Sequence, residues 1–116
     1  ASLDAALSLA ERARAENREY LLSEASAGYE DLAARQLLSS YELLSVAVPQ
    51  LEAALEEHRL ADGTLPRGVW HNQEVLDRLK MYLSEREKDV KRGRAQELIE
   101  RRLTQGGPGS FEGKGG

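Results

Sequence analysis

Apolar positions along this chain recur at helical spacing in three long stretches and then give way to glycine. The second stretch carries the clearest signal. Leu37, Tyr41, Leu44, Val48, Leu51, Leu55 and His58 follow alternating steps of four and three, the a/d seam of a heptad pattern. The spacing predicts a helix over about 30–60. Pro49 lies inside it and cannot donate to the Ser45 carbonyl, so a kink is expected there, with the seam continuing through it. Tyr41 and His58 are read as packed, hydrogen-bonded seam residues.

The first stretch predicts a helix over about 3–27. Ser2 suits the N-cap, Asp4 the positive helix end and Gly28 the C-cap. Its inner face reads Leu3, Ala6, Ala10, Ala13, Asn17, Tyr20/Leu21, Glu24. The first half of that face is small, so a second backbone can come close. Asn17 interrupts the seam, either to fix register or to face water.

Residues 61–72 read as a loop, because Asp62-Gly63, Pro66 and Gly68 break helices. Leu65, Val69 and Trp70 give it an unusual apolar load, and Trp70 is expected to plug the open end of the hairpin. If exposed, it would instead mark a binding hot spot. The third helix is expected over about 72–105 with Asn72 as N-cap. Val75, Leu76, Leu79, Tyr82, Leu83 and Val90 form its first apolar half, and Leu98, Ile99 and Leu103 its second. Gly93 falls between the halves and marks a hinge or a close approach. At 1.5 Å per residue this helix would span about 50 Å against about 37 Å for the first. It should therefore overhang, and its last apolar residues need a cover.

Residues 106–116 hold six of the ten glycines and the only phenylalanine. Glycine loses the most backbone entropy on ordering, so an extended tail of this kind needs a partner surface to hold it. Phe111 would anchor it, with Lys114 meeting an acid. The expected organisation is one domain, a helical bundle over 1–105, followed by this tail.

Composition agrees with long helices: 31% charged, 5% aromatic and no cysteine, which excludes disulfides and thiolate metal sites. No apolar run approaches the roughly 18 residues of a membrane span, and no signal-peptide pattern is present. An intracellular or organelle-matrix setting is favoured. Net charge is −4, unevenly spread. Residues 1–62 carry five Arg against twelve acids (−7), and residues 63–116 carry eleven Lys and Arg against eight acids (+3). Such asymmetry lets the third helix attract the first two.

Catalysis needs convergent polar groups in a cavity, and the chain offers few. His58 and His71 flank the loop without a metal-ligand spacing, and Ser39-Ser40-Tyr41 lacks the glycines of a nucleophile elbow. Gly113-Lys114 misses the phosphate-loop pattern, with Pro108 where its first glycine belongs. The cluster Lys88, Lys91, Arg92, Arg94 lacks interleaved aromatics and sits in a net acidic chain, which argues against nucleic acid; an acidic protein surface suits it equally, and the sequence does not choose between the two.

Three partial resemblances carry further expectations. Trp70-His71-Asn72 between two helices is similar to the tryptophan turn of small secreted helical hairpins, though the turn's glycine is missing. Leu51-Glu52-Ala53-Ala54 after a mid-helix proline resembles the tubulin-folding cofactor A bundle. Leu65-Pro66-Arg67-Gly68-Val69-Trp70, with Tyr82-Leu83 and a charged helix following, is similar to the small matrix-facing helical subunit of the mitochondrial cytochrome b–c1 complex. That last resemblance implies an accessory role in a respiratory complex. The arginine-rich helix preceding the motif in that family is absent here.

The sequence thus predicts an all-α, antiparallel three-helix bundle with a kinked second helix and an extended tail. The expected function is non-catalytic: a structural, accessory or assembly subunit docking on a larger protein complex. The alternative is a free-standing chaperone or adaptor that binds a client helix. The expected partners are protein subunits, with neither cofactor nor small-molecule substrate. The partner-facing residues are expected to be Trp70, Leu98, Ile99, Leu103, Phe111 and Lys114.

Overall fold

A computed structural model describes residues 2–105 of the chain. The glycine-rich segment 106–116, with Phe111 and Lys114, lies outside the described residues. Four helices follow in order: α1 (Leu3–Glu24), α2 (Glu30–Glu56), α3 (Asn72–Lys91) and α4 (Arg94–Gln105). Among the described residues all regular structure is helical, and the body is long and narrow, 69 × 23 × 19 Å.

The α1–α2 pair is the foundation. Ser2 Oγ accepts from the Ala5 amide at 3.1 Å and starts α1. Ala6, Ala10, Ala13, Asn17 and Tyr20 are its buried residues, at steps of four and three. Facing them, α2 buries Ala33, Ser40, Ala47 and Ala54, each seven residues from the last. Small side chains at heptad spacing on both helices let the backbones approach closely, and this contact is the most extensive in the molecule. The larger residues Leu37, Leu44, Val48, Leu51 and Leu55 fill the apolar clusters that α2 shares with the other helices. Thus α2 is the hub: α1 packs on one side, α3 and α4 on the other, and α1 and α3 touch little. α2 runs unbroken through Pro49. Ser45 and Pro49 are both exposed, so water can serve the carbonyl that proline leaves without a donor.

Two apolar clusters result. The larger joins Ala6, Ala10 and Ala13 to Leu44, Ala47, Val48, Leu51, Ala54, Leu55, Leu76 and Leu79. The smaller joins Tyr20, Ala33, Ala34 and Leu37 to Leu98 of α4.

The three-helix expectation needs correction. The predicted third helix is broken at Gly93, whose φ of +85° lies in the left-handed region. Gly93 N–H bonds the Val90 carbonyl at 3.1 Å, closing α3, and its own carbonyl accepts from Glu97 at 3.0 Å, opening α4. The bend turns the second apolar half back onto the α1–α2 hairpin, so Leu98 is covered by its own chain. Other ends shift by a few residues. His58 lies beyond α2 and is exposed, with Nδ1 3.0 Å from the Ala54 carbonyl oxygen. The N-cap of α3 is His71, with Asn72 the first helical residue.

Candidate partner-binding surface

The α2–α3 connection is an ordered structure built from its own hydrogen bonds. Asp62 Oδ1 accepts from both the Thr64 amide (3.0 Å) and its hydroxyl (2.7 Å), which holds the Asp62 carboxyl below its usual range. Gly63 takes φ +88° inside that turn. The Leu60 and Thr64 backbones bond at 2.8 Å, and Arg59 ties the turn down through the Gly63 carbonyl (2.9 Å) and Gln73 (3.3 Å). A second turn follows, in which the Val69 and Trp70 amides both donate to Pro66.

This scaffold presents Trp70 outwards. The indole is 58% exposed, with the His71 ring edge-on at 6.3 Å. The expected plug is therefore a different residue: Leu65 packs against the larger core cluster, and Trp70 does not. Leu60, 51% exposed, adds apolar surface to the same connection.

At the other end, α4 sorts the three leucine-type residues. Leu98 is fully buried among Tyr20, Ala33, Ala34 and Leu37. Its place is in the chain's own core. Ile99 and Leu103 remain exposed, Leu103 at 75%. Arg102 Nη1 donates to the Gly28 carbonyl at 2.9 Å, so α4 ends beside the α1–α2 turn. Leu22 and Tyr29 at that turn are also exposed.

Between the two apolar clusters lies a polar layer. Asn17, in the α1 seam, is buried and accepts from Arg86 Nη1 at 2.6 Å. Arg86 is 5% exposed, pairs through Nε with Asp89 at 3.2 Å, and sits 5.1 Å from the centre of the Tyr20 ring. Asp89 also holds Arg92 at 3.1 Å. One turn on, Glu24 accepts from the Tyr20 hydroxyl (3.2 Å) and from two nitrogens of Arg94 (3.0 and 2.9 Å). Burial above all, with Glu24 and Asp89 nearby, raises the Tyr20 phenol to about 12. Asn17 is thus buried and bonded across the bundle rather than facing water. Its partner Arg86 gives no sequence signal beyond its spacing from Leu79 and Leu83 on the inner face of α3.

The basic cluster is largely neutralised within the chain. Lys91 pairs with Glu87 at 3.0 Å, Arg92 with Asp89, and Arg94 with Glu24 and Glu97. The Glu87 hydrogen bond raises the Lys91 ammonium above its usual range. Lys88, Lys91 and Arg92, with Ser84 and Glu87, line an open depression of about 570 Å³ on the outer face of α3.

Among the described residues no helix is long and apolar enough to cross a membrane. Phe111 and Lys114 fall outside the described residues. Comparison with protein-family models, with curated proteins and with solved structures gives no match to this chain.

Proposed function

We propose that this chain is a non-catalytic structural, accessory or assembly subunit that docks on a larger protein complex. The observation that carries the reading is Trp70, more than half exposed on a loop held by its own hydrogen bonds and by Arg59. Ordering a loop on binding costs free energy, and this loop is already ordered. Tryptophan on such a platform offers a large apolar face and an N–H donor at low entropic cost, the usual anchor of a protein interface. Ile99 and Leu103 supply a second apolar contact at the far end. Phe111 and Lys114 complete the proposed partner-facing set.

The test is fluorescence and size fractionation of the intact chain. Alone, it should show red-shifted, readily quenched tryptophan emission, since Trp70 is the sole tryptophan. In native extract the chain should migrate with a larger assembly of fixed stoichiometry, with emission shifted blue. Trp70→Ser should keep its helicity and return to the position of the free chain. A wild-type chain that stays free in extract, or a Trp70→Ser variant that incorporates equally well, overturns the reading.

A further inference from the structure

Gly93 is the residue in left-handed geometry at which α4 turns back on its own chain. Its φ is +85°, and an added Cβ there would meet nothing within 4 Å. The bend is therefore set by one backbone conformation, without packing around it. Straightening it would leave Asn72 to Gln105 as one continuous helix, which is how the apolar spacing of that stretch reads.

The side-chain contacts that dock α4 are made chiefly with the α1–α2 hairpin, with Val90 of α3 packing at the same cluster. Leu98 enters the Tyr20, Ala33, Ala34 and Leu37 cluster. Arg94 bonds Glu24, and Arg102 bonds the Gly28 carbonyl and lies 4.0 Å from Asp31. Packing of α4 on α3, its covalent neighbour, is slight. A second copy of the chain offers the same groove with the same partners. A short helix attached by a glycine, and held mainly by elements distant in sequence, has the connectivity of an exchangeable arm. Ile99 and Leu103 stay exposed in the closed form, so α4 carries more apolar surface than its own groove covers.

We infer that α4 is such an arm, and that the chain has a second state in which two copies exchange α4 helices. In it each α3–α4 is a straight helix, and each Leu98 and Arg94 meets the other copy's Tyr20 and Glu24. Gly93 holds the balance towards the closed monomer, because the left-handed region costs glycine nothing and other residues a good deal.

Two charge reversals in the full chain separate exchange from simple fraying. Glu24→Arg and Arg94→Glu each place like charges at the 2.9 Å contact in a closed monomer. Mixing the two proteins cannot repair a monomer. In an exchanged heterodimer both contacts become opposite pairs again. Light scattering of the equimolar mixture, after warming and cooling, should show twice the 12.9 kDa chain mass, with neither variant alone dimerising as strongly. Gly93→Ala should dimerise at a concentration where the wild type is monomeric. A mixture that stays at the single-chain mass, folded or not, refutes the exchange, as does a Gly93→Ala protein that remains monomeric. Equal dimerisation of each variant alone would place the interface elsewhere and refute it as well.

Discussion

Arg86 is a charged side chain with almost no access to water, and replacing it with methionine tests whether the polar layer holds the bundle in register. Methionine keeps most of the aliphatic length and removes the guanidinium. Four contacts disappear: the 2.6 Å bond to Asn17, the 3.2 Å pair with Asp89, the position over the Tyr20 ring and a 3.5 Å pair with the half-exposed Glu85, which counts for little. The Asn17 amide oxygen is left buried and unpaired, a loss of about 1–3 kcal/mol. The ring contact adds about 0.5–2 kcal/mol. Asp89 keeps Arg92 at 3.1 Å, so its share is small. The expected loss is about 3 kcal/mol, at the low end of what breaking a buried pair costs. The partner substitution Asn17→Leu removes the stranded amide. Combining the two should therefore recover much of the loss, with a coupling of about 1.5–3 kcal/mol, as expected of a bond to a charged group. Urea unfolding followed by far-UV circular dichroism measures all four corners of the cycle. A single Arg86→Met loss below about 1 kcal/mol, or additivity of the two changes to within about 0.5 kcal/mol, would show that Arg86 and Asn17 are not joined in solution.

Leu44→Ala and Leu51→Ala remove fully buried side chains of the larger cluster and should each cost about 2–5 kcal/mol in the same assay; a loss under about 0.5 kcal/mol would mean the heptad face is turned outwards. For Tyr20, the folded phenol titrates near 12 against 10.0 for the free group, so the fold favours the neutral form. That contribution is complete below pH 10 and is lost as pH rises through about 12. Phenolate absorbance should show a component titrating near 12 that vanishes in Tyr20→Phe, and its persistence in that variant would refute the assignment.

The helical class and the α1 seam were legible in sequence, because Ala6, Ala10, Ala13, Asn17 and Tyr20 keep strict helical spacing. The seam of large residues on α2 was equally plain. Its companion of Ala33, Ser40, Ala47 and Ala54 was not, since alanine and serine barely change a hydrophobic pattern; their period of seven was the available signal. Gly93 was visible as a weak point, but a glycine can bend a helix or stay within it, and the apolar spacing on either side does not say which. Trp70 and Leu65 exchanged roles for a similar reason. Both are apolar loop residues, and their directions depend on the Asp62–Thr64 and Pro66–Trp70 turns, whose geometry the apolar pattern does not encode. The overhang misled because residue count fixes a helix's length but not whether the helix stays straight.

The alanine seam also governs the order in which the molecule assembles. Alanine gives up no rotamer freedom on burial, so α1 and α2 close on each other with little entropic cost beyond the backbone. Only five residues, 25–29, separate the two helices, so loop closure opposes them weakly. α3 must wait for the longer 57–71 connection to close, and α4, at 12 residues, is too short to persist before its groove exists. The hairpin is thus the expected folding nucleus. Substitutions at Ala13 or Ala47 should slow folding, whereas Leu98→Ala should chiefly speed unfolding, and the reverse partition would place the nucleus elsewhere. A nascent chain would hold a formed hairpin before α4 has been synthesised, with the groove at Tyr20 and Leu37 open until that last helix arrives.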